Sequence, residues 1–401
     1  MLKKKPPLMR ALIVLLFSFS LFSIPLHLTN PKNYIKVFEH KQEQQRARFK
    51  RGEIVQVHSL KKRVSKYKNK AAIITNRIFK KNKQTFSYDL KIDDNVELTQ
   101  VPESELQKAH LVKLKTSNSA AENNHILNES FKYATAHPNT VLALPEGEFT
   151  IGSPSPNKDY MLLPSNTSIV GHKTSLEIDD TAYWFGLATG PNPEDGVQNL
   201  TITGIDFVAK DLSKGSHFMI MADHGNNWHV FKNRFTMVHK KSSHIFDLGS
   251  VQNSIFEKNQ FIGYAPELIN ISHLDFSKAS HDFYSEAIQF DAAEKTGMWD
   301  AGSLIKAIDP HYESNNSTRH LCQNIKVTNN AFLPYVDKHG IIKAYGASIG
   351  QHSSDARKIM ITHNRFVSSL VSLFKSNNWL MSPIHFSPNS SISASHNFFS
   401  K

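Results

Sequence analysis

Cysteine is almost missing: Cys322 is the single thiol in 401 residues. An intrachain disulfide framework and any CxxC-based zinc or redox site are therefore excluded. HExxH, P-loop and GxGxxG patterns are missing as well, so no motif supports zincin, nucleotide-phosphate or dinucleotide chemistry. Aromatic residues between positions 51 and 108 are too few for a base-stacking platform, which argues against a nucleic-acid partner. What is present is enough apolar residue, 40%, to bury a core, so the chain as a whole is not disordered. The length predicts two or three units.

Charge is unevenly spread. The formal total is +12, yet residues 1–115 carry 25 Lys+Arg against 9 Asp+Glu, and the remainder carries 22 against 26. The basic character therefore belongs to the N-terminal third. It opens with KKKPPLMR (3–10), followed by an apolar run from Ala11 to Leu28. This is the form of a secretory signal or an uncleaved anchor, predicted as an apolar helix within residues 1–30. No A-x-A site follows, which favours the anchor. Lysines before the span put the bulk of the chain outside, secreted or held on the outer face of the cytoplasmic membrane. An exported protein with one cysteine points to a Gram-positive bacterium.

Residues 31–50 read as a basic linker. Four runs then alternate with period two: RGEIVQVHSLKK, KAAIITNRIF, KQTFSYDLKI and NVELTQVPESEL (51–62, 70–79, 83–92, 95–106). Charged turns separate them, as in a small barrel of five short strands. The GEIV, AAII and YDL strands and the closing VPESEL resemble an SH3-like bacterial barrel, assigned to 51–108. Its Lys/Arg excess suits contact with an anionic cell-wall polymer, and equally suits a plain solvated face.

A repeat organises the rest. Six segments end in x-N-x-F or close to it: NLTITGIDF (199–207), NWHVFKNRF (227–235), NSIFEKNQF (253–261), NIKVTNNAF (324–332), KIMITHNRF (358–366) and SISASHNFF (391–399). Their final Phe residues are 28, 26, 71, 34 and 33 apart. Such spacings fit one coil of a right-handed parallel β-helix, in which a coil buries its apolar side only by stacking on its neighbours. Asn suits the tight turn because it tolerates left-handed φ and bonds its neighbours. The 71-residue interval must hold extra coils or a long insertion. There is no Leu/Asn consensus and no WD signature, so leucine-rich and propeller folds are excluded. The entry, 120–152, reads as a helix with apolar Ile126, Leu127, Phe131 and Ala134, then a strand and a Pro-Glu-Gly turn. It resembles the N-terminal cap of pectate-lyase-like proteins. The fold expected is thus all-β: a single-stranded, pectin-lyase-like parallel β-helix over 118–401, behind the barrel and the apolar helix. That fold hosts lyases, hydrolases, epimerases and inert adhesins.

A β-helix binds polymers along one outer sheet, so polar residues on outward strand positions are the site candidates. In HIFDLG, Phe246 and Leu248 share one face and Asp247 takes the other. In SEAIQFD, Ile288 and Phe290 point in, leaving Gln289 and Asp291 outward. In HGIIKAYG, Ile342 and Ala344 point in, leaving Lys343 and Tyr345 outward. Stacked at about 4.8 Å per coil, these four side chains would form one polar strip, although each also fits an ordinary solvated strand. Histidine is dense after residue 240. Four stand out by context: His244 before the HIFD strand, His311 in AIDPHY beside Asp309 and Tyr312, His339 at the HGII strand, and His352 near Asp355 and Arg357.

AIDPHY and KHGII together are similar to elements of the mannuronan C5-epimerases, which carry a DPH core and a KHGII-type strand. The resemblance implies His311 as catalytic histidine and Asp309 as its support. It departs at two roles, with Lys306 in place of a tyrosine and Tyr345 in place of an arginine. Epimerases and lyases both remove the C5 proton of a uronic acid once its carboxylate is neutralised. His311 as base, Tyr345 or Tyr312 as acid, and Lys343 or Gln289 on the carboxylate fit that scheme. Substrate binding falls to Glu286, His244, His339, His352 and Arg357. The alternative is a glycoside hydrolase using two carboxyls, Asp247 and Asp291, with Glu286 as a third candidate. Asp247, Glu286 and Asp291 are also candidate Ca²⁺ ligands. The function expected is therefore lyase or epimerase action on a uronic-acid-containing, anionic surface polysaccharide. Hydrolysis, or polysaccharide binding without catalysis, would come next.

Overall fold

The structure is a computed structural model. It describes residues 47–58, 65–80, 82–93, 96–156, 158–188, 193–270, 285–294, 297–298, 319–351, 354–373 and 382–400. The apolar run 11–28 lies outside these residues. Among the described residues, no helix is long and apolar enough to cross a membrane.

The basic N-terminal runs form a five-stranded antiparallel sheet. Along it the order is Glu97–Pro102, Thr85–Lys91, Ala71–Lys80, Ile54–Val57, Leu106–Lys108. A single 3-10 turn, Glu103–Glu105, redirects the chain so that the last strand pairs with the first. Alternation sends Val55, Val57, Ile74, Tyr88 and Leu90 into a core of their own. Burial, and the Tyr88 hydroxyl donating to Glu103 at 2.5 Å, push the phenol well above its ordinary range. This sheet packs against the next unit through Ile54, which joins Val141, Ala143 and Val170 in a small apolar cluster.

From His110 onward the chain winds into a parallel β-helix with three faces. The first face stacks Thr140–Ala143, the starts of Thr167–Ile178 and Leu200–Ala209, His229–Phe231, Ile255–Glu257, Gln323–Thr328, Arg357–Thr362 and Ile392–Ser395. The second stacks Gly147–Ile151, the ends of those two long strands, Arg234–His239, Gln260–Tyr264, Ala331–Leu333, Arg365–Val367 and Phe398–Ser400. The third stacks Met161–Leu162, Thr181–Gly186, His217–Asn226, Phe246–Gln252, Glu286–Glu294, Ser348–Gly350 and Ile384–His385. The helix Ala120–Ala136 covers the first coil. Ser119 and Glu122 cap it reciprocally, and Leu127, Phe131 and Ala134 close the core, with Phe131 edge-on to Trp184.

The x-N-x-F repeat explains the stacking. Its phenylalanines form a ladder inside the second face, with centroids 4.9, 5.2, 4.9, 4.6 and 5.4 Å apart from Phe207 to Phe399. Its asparagines form a second ladder, buried at Asn233, Asn259, Asn330 and Asn364 and half-buried at its last rung, Asn397. Each main-chain N–H in this column donates to the next Oδ1 at 2.9–3.0 Å. Each Nδ2 also donates back to a carbonyl of the preceding coil. The left-handed backbone does not fall on these asparagines, which corrects the expectation from sequence. It falls on the residue before each: Lys232, Lys258, Asn329, His363 and His396. The buried amide is needed for its donors and acceptor, while the exposed neighbour takes the strained φ. A separate, exposed column (Asn166, Asn199, Asn227, Asn253, Asn324) is left-handed and marks the corner between the third and first faces.

The 71-residue interval holds one coil and an insertion, not extra coils. Phe261 pairs directly with Phe332, and Phe256 with Val327. The insertion leaves the third face at Glu294 and returns through Arg319–Leu321, which pairs antiparallel with Ala292–Glu294. Cys322, at its return, is buried with Sγ donating to the Leu248 carbonyl at 3.0 Å, and burial pushes its thiol up to about 12.

Replacing Asn330 by Ala should cost about 2–4 kcal/mol, because it strands a carbonyl and neighbouring amides inside the corner. Asn324→Gly keeps the left-handed turn and removes an exposed bond, so its cost should stay below about 1 kcal/mol. Urea midpoints of the two variants check this contrast.

Candidate functional site

The third face carries the polar residues. Phe246, Leu248, Ile288 and Phe290 point into the core, so Asp247, Gln289 and Asp291 point outward, as alternation requires. The register places Phe185, Met221, Asp247, Gln289, Gly350 and His385 in one column across successive coils. Its first part is apolar. Phe185, Met219 and Met221 cluster there with Tyr160, Tyr183 and Leu187. Its second part is acidic and amidic. A parallel column runs Asp223, Gly249, Asp291. Asp247 therefore has Asp223 and Asp291 as diagonal neighbours, with backbones about 7–8 Å away.

Outward here does not mean open to solvent. Asp247 is 7% exposed, Gln289 3%, Asp291 1% and Asp223 0%. Two short strands of the insertion, Gly297–Met298 and Arg319–Leu321, lie against His217–Asn226 and Phe246–Gln252 respectively. Asp291 accepts a short hydrogen bond from Ser354 Oγ and another from Gln289 Nε2 at 3.3 Å. Asp223 stands apart, since neither carboxyl oxygen has a hydrogen-bond partner among the described residues. Burying a carboxyl without partners is costly, and the charged form suffers most.

Glu286 opens the strand that carries Gln289 and Asp291 and is 1% exposed. Its Oε1 meets His385 Nε2 in a short contact, while His385 Nδ1 faces the Ser382 carbonyl at 2.7 Å. The two ring nitrogens thus face a main-chain carbonyl on one side and a carboxyl on the other. His244 Nδ1 lies 2.9 Å from the Glu286 carbonyl and 3.7 Å from Oε2. Gly350 makes room for this pair, because a Cβ there would sit 2.1 Å from the His385 carbonyl.

A histidine–tyrosine pair lies at the corner of the second and third faces. His239 and Tyr264 have ring centroids 4.4 Å apart. His239 Nε2 meets the Ser243 carbonyl at 2.7 Å and must carry a proton there, which leaves Nδ1 with a bare lone pair. Burial, reinforced by the neighbouring His244, holds His239 down at about 3. Burial likewise holds His217 down at about 4, and pushes the Tyr264 phenol well up.

The structure separates other residues that the sequence grouped with this strip. Lys343 does not join it. Ile342–Ala344 pairs antiparallel with Tyr335–Val336, in a hairpin between the second and third faces. Lys343 there pairs with Asp337 at 3.4 Å. Tyr345 bridges Tyr264 through its backbone, and its ring packs on the core. His339 lies in the exposed turn of that hairpin, its N–H donating to Asp337. The hairpin is a corner excursion, so its residues do not share the coil register. Arg357 is exposed on the first face. His311, Asp309, Tyr312 and His352 lie outside the described residues. Asp223, His239, Tyr264 and His385 are the residues that sequence reasoning missed. The alternation in HFMIMADHGN does put Asp223 outward with Met219 and Met221, but apolar residues at those positions disguise the face. Among the described residues, no group of three or more His, Cys, Asp or Glu is arranged to hold a metal ion, so Asp247, Glu286 and Asp291 are not gathered as Ca²⁺ ligands.

No family model and no curated protein matches the chain. Solved structures do. The surface adhesin PfbA of Streptococcus pneumoniae is 13% identical with a TM-score of 0.47, over 73% of this chain and 62% of that one. This chain thus spans under two thirds of the adhesin's length. A mannuronan C-5 epimerase A-module of Azotobacter vinelandii is 10% identical with a TM-score of 0.24, over 72% and 99%. An alginate lyase from Paenibacillus is 12% identical with a TM-score of 0.29, over 69% and 93%. At these identities the likeness concerns the fold alone.

The imidazole of His239 sets a pH dependence of stability. The unfolded chain binds a proton near pH 6.5, whereas the folded chain stays neutral there, so stability is full above about 6.5 and declines as pH falls. His239 alone should remove about 2 kcal/mol by pH 5. Urea midpoints at pH 7 and pH 5 should show that loss in the parent chain, and a flatter response in His239→Gln.

Proposed function

We propose that the protein cleaves a polysaccharide on its third face, by glycoside hydrolysis using the Asp223–Asp247–Asp291 cluster. The observation that carries this reading is Asp223, a fully buried carboxyl with no hydrogen-bond partner among the described residues, diagonal to a second carboxyl on the next coil. Hydrolysis needs one carboxyl that keeps its proton and one that stays charged, about 5–9.5 Å apart. Desolvation of Asp223 suits the proton donor, and Asp247 on the next coil is its diagonal partner. The partly exposed rings of Tyr160 and Tyr183, packed on buried Phe185 along the same face, suit contact with sugar rings of the same chain. Entry of a polymer requires the strands Gly297–Met298 and Arg319–Leu321 to shift off the face.

A second reading is C5 proton abstraction from a uronic acid, as in lyases and epimerases. The observation favouring it is the bare Nδ1 of His239 beside the Tyr264 ring, a base and an acid in one corner. The roles assigned to His311 and Asp309 belong to this reading. Export and anchoring through residues 1–30, and a uronic-acid polymer as substrate, remain part of the proposal.

The test treats the full chain with alginate, polygalacturonate and native bacterial exopolysaccharide. New reducing ends are followed together with ultraviolet absorbance of unsaturated ends. Hydrolysis predicts new ends without absorbance, and a loss of about 10²–10⁴-fold in Asp223→Asn or Asp247→Asn with the fold retained by circular dichroism. Ends appearing with absorbance, and abolished by His239→Gln, would replace hydrolysis by elimination. Neither signal on any polymer would remove both readings.

A further inference from the structure

A second surface lies on the first face, away from the carboxylates. The five-stranded sheet packs on the early coils through Ile54, Val141, Ala143 and Val170. Gln56 Nε2 fixes this contact by donating to the Asn139 carbonyl at 2.5 Å. Beside the contact a groove of about 690 Å³ opens between the two units. Its small-sheet wall carries Lys66, Lys70 and Lys91. Its β-helix wall carries Lys173 and Lys232. Asp93 is the one carboxylate in the lining among the described residues. Aromatic surface accompanies the charge. Tyr67 lies in the small-sheet wall with the Lys66 ammonium 4.7 Å from its ring centre. His229 stacks on Phe231 at 4.2 Å along the floor.

We propose that this groove binds an acidic glycan chain. Ring faces interleaved with ammonium groups match a polymer that alternates sugar rings with anionic groups. The Lys173–Glu146 pair is exposed on both sides, and such pairs hold weakly and exchange readily for a ligand anion. His229 meets Glu257 at 2.8 Å on the side away from the lysines of the small sheet. The groove lies on a different face from Asp223, Asp247 and Asp291. Binding in the groove and chemistry on the third face are therefore separable. The inference therefore does not rest on the hydrolytic reading.

The full chain carrying Asp247→Asn, so that no cleavage intervenes, is titrated calorimetrically with polygalacturonate, a sugar polymer linked through phosphodiesters and neutral dextran. Binding of an acidic polymer but not dextran is expected, weakening as salt rises from about 50 mM to about 500 mM. The first two polymers separate carboxylate from phosphate as the anion recognised. Adding Lys66→Glu and Lys173→Glu, one from each wall, should weaken binding at least tenfold. Lys132→Glu with Lys214→Glu changes net charge equally on exposed sites outside the groove and should leave affinity within about twofold. Equal loss in both pairs, binding of dextran as tight as of the polyanions, or no binding at all would overturn the proposal. Cleavage in the parent chain without binding in the groove would overturn this inference alone.

Discussion

The stacked asparagines at the corner of the first and second faces fix the register from which the rest of this structure follows. A parallel coil has no hairpin partner to align it, and apolar contacts alone tolerate sliding. A buried amide does not, because its two donors and its acceptor must each find a partner at hydrogen-bond distance. From Asn233 to Asn397 every coil is pinned to the next at one point. The phenylalanine ladder lies two residues further on and fills the space behind it. Asp247 opposes Gln289 and Gly249 opposes Asp291 because the coils beneath them are locked at that corner.

The same geometry keeps opposite charges apart. The carboxylates share the third face with an aromatic and methionine patch, while the lysines border the groove on the first face. Inward positions hold apolar residues, chiefly Phe, Ile, Leu and Val with Ala, Met and Trp among them. A three-sided coil can therefore carry different chemistry on different faces, with an apolar core between them. A closed globular pocket would have to bring such groups together and neutralise them.

The sequence makes the repeat legible because the ladder needs a fixed pair of residue types, Asn and then Phe two positions on. It makes Asp247, Gln289 and Asp291 legible as outward residues because strand alternation is strict around Phe246 and Ile288. Alternation carries no information about what lies above a strand, so it could not reveal that these side chains are buried. Nor could it separate coil strands from corner excursions. HGIIKAY has strand-like alternation, yet Gly340 and the Asp337 carboxylate turn it into a hairpin between faces. His239 and Tyr264 were invisible for a different reason. They belong to strands 25 residues apart on successive coils, and only the register brings their rings together.

The insertion between Glu294 and Arg319 shows what this kind of scaffold permits. Phe261 and Phe332 stack at 4.9 Å, no further apart than neighbours on uninterrupted coils. Closing a connection more than twice as long adds only about 0.8 kcal/mol of chain entropy. The ladder cannot distinguish a coil of ordinary length from one that makes a long detour. Such a fold behaves as a one-dimensional lattice with side branches: the lattice sets stability, while a branch can lengthen, shorten or change composition at nearly constant cost. The branch here springs from the strand that carries Gln289 and Asp291. Variation in ligand preference among proteins built this way should therefore accumulate in that branch, with the lattice beneath it unchanged.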